Sequence, residues 1–164
     1  MEFKTEVTDE ELDKIADTSV DTIKNITKFF NVGEFEINEY EGDSGELILD
    51  LDGDDLSILI GHKGSTIQSL QQMISIITST KLGYKYPVTI DVHGYKSRQK
   101  NKLEDLAYRM ANKALNQKRK VSLRPMTPYD RRIIHMALAE EKEVETFSEG
   151  QGRDRHVVIS PLEH

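Results

Sequence analysis

Cysteine is absent from this 164-residue sequence. The chain therefore forms no disulfide bond, has no catalytic thiol and cannot ligate a metal ion through sulfur. It also lacks any apolar run close to the roughly 20 residues that span a bilayer. The N-terminal stretch MEFKTEVTDEELDK has neither the basic nor the apolar part of a signal peptide. We expect a cytoplasmic protein without membrane insertion.

Motifs of the common enzyme classes are missing as well. The sequence contains no Walker-type phosphate loop, no H-E-x-x-H and no G-x-S-x-G nucleophile elbow. Its histidines are not paired at the spacing of metal ligands, so we expect neither a metal nor a cofactor. These histidines are His62, His93, His135 and His156. The pattern favours a non-catalytic protein, and a phosphodiesterase that uses Arg131 and His135 as electrophile and general acid is the enzymatic alternative.

Charge is distributed unevenly along the chain. The formal net charge is −7, which argues against a polyanionic partner. However, residues 1–55 hold 18 acidic and 4 basic side chains, whereas residues 61–135 hold 15 basic and 4 acidic side chains. This asymmetry predicts an acidic face and a separate basic face that suits phosphate groups. The alternative is that the lysines form ordinary solvated helix faces.

The first half of the chain alternates helical and strand-like periodicity. Apolar residues three or four apart predict a helix over residues 8–30, which begins with a capping box at Thr8. The stretches FEINEYE and ELILDLD, on either side of Gly42-Asp43-Ser44-Gly45, predict a β-hairpin. A short helix capped by Asp54 or Asp55 should follow.

Beyond that short helix, a longer helix ends near Gly83, and YPVTIDV is a third strand. The chain then runs near Gly94 directly into a basic helix over residues 97–118. The inner face of this helix is expected to hold Leu103, Leu106, Met110, Ala114 and Leu115. VSLRPM predicts a short strand, Thr127 and Pro128 begin another helix, and EVETFS and HVVIS form a closing strand pair.

Two G-x-x-G pairs occur, and their context separates them. Gly42 to Gly45 flanks an aspartate in the hairpin, where a phosphate would be repelled. Gly61-His62-Lys63-Gly64 joins two predicted helices, and Ser65 begins the second one. There, small residues allow a nucleic-acid backbone to approach, and helix amides together with Lys63 can meet phosphates. A plain helix–helix turn is the alternative.

The order helix, strand, strand, helix, G-x-x-G, helix, strand resembles the type II KH fold, which clamps about four nucleotides beside an apolar groove. The chain is therefore expected to have an α+β fold, with this KH domain followed by a smaller α/β domain. The groove wall would come from Leu59, Ile60, Ile67, Leu70 and the strand Val88 to Val92.

Arg131 and His135 are four residues apart, which places both on one face of a predicted helix. Arg131 offers a fork of donors to a phosphate, and His135 can donate a hydrogen bond or stack on a base. On spacing alone, the alternative is favoured: an arginine paired with an acid such as Asp130, and a satisfied, half-buried histidine.

The stretch MTPYDRRIIHMALAEEKEVETFSEGQGRDRHVVISP resembles the end of the bacterial Jag (SpoIIIJ-associated, KhpB) family. Those proteins join a KH domain to an Arg-x-x-x-His domain that binds single-stranded nucleic acid. IGHKGSTIQSLQQMI and DVHGYKSRQ are similar to their KH region and to the junction. The resemblance implies an acidic helix over residues 1–33, a KH core over 34–94 and an Arg-x-x-x-His domain over 95–161. Residues 162–164 resemble a cloning tag.

The resemblance also implies binding residues and partners. The residues are Gly61, His62, Lys63, Gly64, Ser65, Arg124, Arg131, His135, Arg153 and Arg155. Single-stranded RNA is the expected ligand, with single-stranded DNA as a second one, and family members are linked to cell-envelope growth. A protein-interaction adaptor is the rival function, with a single-KH protein or a membrane insertase as partner. Family members also carry a small N-terminal Jag domain, which is not visible ahead of residue 8.

Overall fold

The computed structural model describes residues 1–162, which form two compact units that divide between Lys96 and Ser97. Mixed helices and small sheets confirm the α+β expectation. The elements of the first unit are α1 (Asp9–Thr27), β1 (Phe35–Glu41), β2 (Leu47–Gly53), α2 (Ser57–Ile60), α3 (Ser65–Leu82) and β3 (Val88–Val92). They are followed by α4 (Tyr95–Gln117), β4 (Val121–Ser122), α5 (Pro128–Ala137), β5 (Val144–Glu149) and β6 (His156–Pro161).

The first helix begins as the sequence predicts. The Thr8 hydroxyl accepts a hydrogen bond from the Glu11 amide at 3.2 Å, and the Glu11 carboxylate accepts one from the Thr8 amide at 3.1 Å. This reciprocal pair is the expected capping box. The α-helix ends at Thr27 rather than Phe30, because a 3₁₀ turn and a left-handed Asn31 (φ 52°) bring the chain out of the helix.

A three-stranded sheet in the order β1-β2-β3 forms one side of the first unit. β1 and β2 are antiparallel, which confirms the hairpin, and β3 pairs in parallel with β2. Alternate residues of β2 point into the core, where they pack with residues from α1, α3 and β3. Those of β2 are Leu47, Leu49 and Leu51.

Two predictions for this unit were wrong in detail. Neither Asp54 nor Asp55 caps α2, because the residue at the cap position is Leu56, whose side chain cannot accept a hydrogen bond. Most of the expected groove wall is core, because these side chains are needed to fill the space between α3 and the sheet. The fully or almost fully buried members are Leu59, Ile67, Leu70, Val88, Ile90 and Val92, whereas Ile60 is half-buried.

The second unit is built on an antiparallel sheet in the order β4-β6-β5. The closing strand pair is therefore as predicted. The face of α4 that is fully buried differs from the predicted one, because small side chains let the helix lie close to its neighbours. It consists of Leu103, Ala107, Ala111 and Ala114, whereas Leu106, Met110 and Leu115 are only partly buried.

The strand predicted from VSLRPM is shorter than expected. Regular pairing is confined to Val121 and Ser122, because Pro125 has no amide hydrogen to donate. The amides of Leu123 and Met126 still donate to the carbonyl oxygens of Val157 and Arg155, at 2.9 and 3.2 Å. The segment that leads into α5 is therefore fixed to β6.

At the C-terminal end, the Leu162 amide donates to the Glu143 carbonyl oxygen at 2.8 Å. The other two residues of the suggested tag, at positions 163 and 164, lie outside the described residues. Within residues 1–162, every helix is either too short or too polar to cross a lipid bilayer.

Candidate nucleic-acid interface

The turn between α2 and α3 has a backbone that few residues other than glycine adopt. Gly61, Lys63 and Gly64 all have positive φ, at 73°, 52° and 76°. The Gly61 amide closes α2 by donating to the Ser57 carbonyl oxygen at 3.2 Å. Left-handed backbone is unstrained for glycine and costly for most other residues. A lysine held in it points to a turn whose shape is fixed by its surroundings.

Both glycines are also required by close packing. A Cβ atom on Gly61 would overlap the side chain of Thr66, lying 2.7 Å from its Cβ. A Cβ atom on Gly64 would lie 3.0 Å from the hydroxyl oxygen of Tyr95. Gly64 is buried against this tyrosine, which sequence reasoning missed, because nothing in the sequence relates a residue 31 positions away to the turn.

The side chains that flank Gly64 are open to solvent. His62, Lys63 and Ser65 are all exposed. Gly64 occupies the cap position of α3 and has no side chain with which to accept hydrogen bonds from the first turn of the helix. Amides at a helix N-terminus attract anions, and the charge of Lys63 adds to that attraction. The turn therefore has the chemistry to receive a phosphate group.

The outer edge of β3 is covered by a side chain of α3. Nε2 of Gln71 donates to the Val88 carbonyl oxygen at 2.5 Å, and the Ile90 amide donates to Oε1 of Gln71 at 2.7 Å. The primary amide thus takes the place that a neighbouring strand would have. No pattern in the sequence marks Gln71, since a glutamine on a helix is ordinary.

A lysine is held against the same edge. Nζ of Lys96 donates to Oε1 of Gln71 at 3.3 Å. Burial lowers the pKa of Lys96, and the nearby carboxylate of Asp91 opposes that effect. Asp91 itself accepts from the amides of Val92 and Lys96, at 2.8 and 3.1 Å. This end of the first unit therefore carries a partly buried cation beside the edge strand.

In the second unit, α5 positions Arg131 and His135. Thr127 caps the helix by accepting from the Asp130 amide at 3.2 Å, and Pro128 occupies the first helical position, both as predicted. Nη1 of Arg131 donates to the carbonyl oxygen of Met126 at 3.0 Å. This acceptor is neutral, so the bond orients the guanidinium without cancelling its charge.

His135 is bound through both ring nitrogens. Nδ1 lies 2.7 Å from the hydroxyl oxygen of Thr146, and Nε2 lies 3.1 Å from that of Ser148. Burial lowers the pKa of His135, and the positive charge of Arg131 lowers it further. A neutral ring donates from one nitrogen and accepts at the other, and two hydroxyl groups can meet both needs. The structure thus matches the half-buried, satisfied histidine that spacing alone favoured.

Thr146 and Ser148 were missed by sequence reasoning, although a signal was present. The two hydroxyl residues are two apart in β5, and residues at that spacing share one face of a strand. Pairing them with His135 requires knowing that α5 packs on that face.

The remaining arginines lie in different places. Arg153 is exposed in a 3₁₀ turn between β5 and β6, whereas Arg155 is half-buried and donates through Nη1 to the Gly150 carbonyl oxygen at 2.9 Å. Arg124 is exposed and borders a groove between α4 and β4. The structure therefore gives Arg155 a role in bracing the hairpin and leaves Arg124 and Arg153 on the surface.

Comparison with known protein families places two domains in this order. Residues 20–90 match the KH domain of KhpA and KhpB. Residues 101–161 match the domain that is named for the Arg-x-x-x-His spacing. The first match contains the Gly61–Gly64 turn, and the second contains Arg131 and His135.

Curated relatives are named as RNA-binding proteins. The RNA-binding protein KhpB of Clostridium symbiosum is 38% identical over 146 residues, which are 89% of this chain and 66% of that protein. The protein of the same name from Bacillus subtilis is 33% identical over 110 residues, 66% of this chain and 53% of that protein. The one from Streptococcus pneumoniae serotype 2 is 24% identical over 91% of this chain and 45% of that protein. The chain thus spans between about half and two thirds of these relatives.

Proposed function

Because this chain belongs to the KhpB family, with a KH domain followed by an Arg-x-x-x-His domain, we propose that it is a non-catalytic binder of single-stranded RNA. The observation that carries the proposal is the turn at Gly61–Gly64, where two glycines and a lysine have left-handed backbone and the lysine is exposed. We place this binding in the cytoplasm, with post-transcriptional regulation related to cell-envelope growth as its context.

In the KH domain, Gly61 and Gly64 leave the backbone of the turn accessible. A ribose-phosphate chain can approach to within contact of the amides because no side chain stands between them. Lys63 and the N-terminus of α3 then supply positive potential, and His62 and Ser65 supply hydrogen-bond donors on either side. Contacts of this kind read the phosphate backbone, so binding should tolerate many base sequences.

In the Arg-x-x-x-His domain, Arg131 supplies a second phosphate contact. Its bond to the Met126 carbonyl oxygen uses one of five donors of the guanidinium, which leaves a planar fork for an oxyanion. His135 acts as a neutral partner beside it, held in place by Thr146 and Ser148. A neutral ring accepts contact with a base or sugar without the cost of a second adjacent charge.

Two modest sites on one chain bind a common strand more tightly than either alone. Once the first domain is bound, the second meets the same RNA at a high effective concentration. Arg153 offers a further, weaker contact on the β5–β6 hairpin. Single-stranded DNA should bind by the same phosphate contacts, since none of the named groups requires a 2′-hydroxyl.

The experiment is a fluorescence titration of a pool of short single-stranded RNAs at two salt concentrations. We compare the wild type with Gly64→Asp, which adds bulk, negative charge and a left-handed penalty at the closest approach. Gly45→Asp is the matched control, because Gly45 also has a positive φ (79°) and belongs to the other G-x-x-G pair. Binding should be salt-sensitive, strongly weakened by Gly64→Asp and unchanged by Gly45→Asp.

A second variant separates loss of binding from loss of folding. Lys63→Asn removes the charge with a residue that tolerates left-handed backbone. Losing one phosphate contact on a single strand lowers the slope of log K against log salt by about 0.7. An affinity and a slope that stay at wild-type values in both Gly64→Asp and Lys63→Asn would refute the assignment of this turn.

A protein-interaction adaptor is the second candidate. Met73 and Ile76 lie one turn apart on α3 and are 48% and 66% exposed. Adjacent exposed apolar side chains favour contact with another protein, here one with a single KH domain or a membrane insertase. An apolar interface responds weakly to salt, whereas RNA binding responds steeply. The absence of salt-sensitive RNA binding would favour this candidate.

A further inference from the structure

A groove of about 930 Å³ lies between α4 and β4, entirely within the second unit. Apolar side chains contribute to its lining: Leu103 and Leu123 are buried, and Leu106 and Met110 are half-buried. A groove of this size reaches the upper end of the range of about 300–1,000 Å³ that is usual for small-ligand sites. Its lining does not include Arg131 or His135, so it is distinct from the site on α5.

Positive charge borders the groove on both sides. Lys102 and Arg109 come from α4, and Arg124 comes from the chain just after β4. All three are exposed, and the acidic residue that lines the groove with them is Asp105. Three cations against one carboxylate make the groove favourable for an anion, although the whole chain carries a net charge of −7.

The same groove offers surfaces for bases. Tyr108 lines it and is 45% exposed, and the half-buried Leu106 and Met110 provide apolar contact. Aromatic and apolar side chains beside a positively charged groove are the features by which proteins bind single-stranded nucleic acid with little sequence preference. The combination of cations on two walls with these surfaces fits a single strand better than an acidic peptide, which presents no flat ring to the tyrosine.

The backbone connects this groove to the Arg131 site. Arg124 precedes Met126 by two residues, and two residues of chain span at most about 7 Å. Met126 in turn accepts the hydrogen bond from the Arg131 guanidinium at 3.0 Å. The groove and the Arg131 site are therefore neighbouring stations along one surface path.

We propose that the α4–β4 groove is an additional binding site for single-stranded RNA, in which Lys102, Arg109 and Arg124 hold phosphates and Tyr108 with Met110 contacts bases. This inference rests on the proposed function, which it deepens by giving the Arg-x-x-x-His domain a longer track for the strand. It also gives Arg124, which lies apart from α5, a defined role.

The test measures the salt dependence of RNA affinity for two variants and a control. Arg124→Ala should lower the slope of log K against log salt by about 0.7, and the triple variant with Lys102→Ala and Arg109→Ala by about 2. Lys142→Ala, which removes an exposed lysine of the same unit that does not line the groove, should leave the slope unchanged. These are surface changes, so the thermal transition of each variant should stay near that of the wild type.

Crosslinking gives a readout that does not depend on affinity. Because the chain has no cysteine, Ser122→Cys in the groove can be labelled alone with a photoreactive maleimide, and Glu141→Cys outside it serves as the control. RNA should crosslink strongly at position 122 and weakly at position 141. Equal crosslinking, or a triple variant that behaves like Lys142→Ala, would overturn the groove as a site.

The two proposals fail in different ways. If the wild type binds no RNA at either salt concentration, the proposed function fails and the groove proposal fails with it. If the wild type binds and Gly64→Asp weakens binding, while the groove variants match the control, only the groove proposal fails.

Discussion

His135 and Thr146 are joined by a hydrogen bond of 2.7 Å between Nδ1 of the ring and the threonine hydroxyl. The bond ties the face of α5 that carries Arg131 to strand β5, and Ser148 completes it on the other ring nitrogen at 3.1 Å. The orientation of the second candidate phosphate site thus depends on a histidine whose proton count is set by its surroundings.

Acidification should destabilise the second unit through His135. Its pKa in the folded chain is held below the usual 6.5 by burial and by the charge of Arg131. The unfolded chain therefore takes up a proton below that pH while the folded chain does not. The stability due to neutral His135 is complete above about pH 6.5 and is lost as the pH falls towards the lower, folded pKa.

Thermal melting of the wild type and His135→Gln at about pH 7.5 and 5.5 checks this. Glutamine keeps a donor and an acceptor but does not titrate, so its melting temperature should fall less on acidification. Equal falls in the two proteins would show that His135 is not the titrating group.

Arg131→Ala should weaken RNA binding modestly and by a similar factor for all sequences. The lost contact is to phosphate, so the slope of log K against log salt should decrease by about 0.7. Arg132→Ala is the matched control, because the next residue on α5 is exposed and points to a different part of the helix surface. Binding assays across several RNA sequences would detect a base-specific loss, which would contradict a phosphate contact.

Thr127→Ala should destabilise the second unit by about 1 kcal/mol, because the Asp130 amide loses its cap. Arg131 lies one turn later, so RNA affinity should fall as well. Thr127→Ser keeps the hydroxyl and should restore most of both losses. Urea denaturation and RNA titration of the two variants give the comparison, and an alanine variant that matches serine in both would count against the cap.

Gln71→Leu should destabilise the first unit by about 1–3 kcal/mol, because the Val88 carbonyl oxygen and the Ile90 amide lose their partner at a partly buried edge. Gln72→Leu replaces the adjacent, exposed glutamine of α3 and should change the unfolding free energy by less than about 0.5 kcal/mol. Urea denaturation of both proteins measures the difference. Similar values for the two would mean that water replaces the Gln71 amide without cost.

The sequence was informative where a structure depends on neighbours along the chain. The capping residues Thr8 and Thr127 and the hairpin strands follow from spacing and from residue type alone. The G-x-x-G turn was also located, because glycine is the residue that left-handed backbone and close packing select.

It was uninformative where residues far apart in the chain meet. Tyr95 against Gly64, Gln71 against β3 and Thr146 against His135 all depend on how elements pack in space. Periodicity could not divide core from groove in the KH domain either, since Leu59 and Ile60 are adjacent and differ only in which way the short helix α2 turns them. Asp54 and Asp55 failed as caps for the same reason, because α2 begins later than their chemistry suggests.

The strand order of the second unit has a consequence for how the chain folds during synthesis. β6 lies in the centre of its sheet, between β4 and β5, although it is made last. While the ribosome is still translating residues 121–155, β4 and β5 have no strand between them and the apolar side of α4 has no sheet to cover it. The first unit, by contrast, has all three strands once Val92 has emerged. The KH domain can therefore fold while the chain is growing, whereas the Arg-x-x-x-His domain must wait for its final strand.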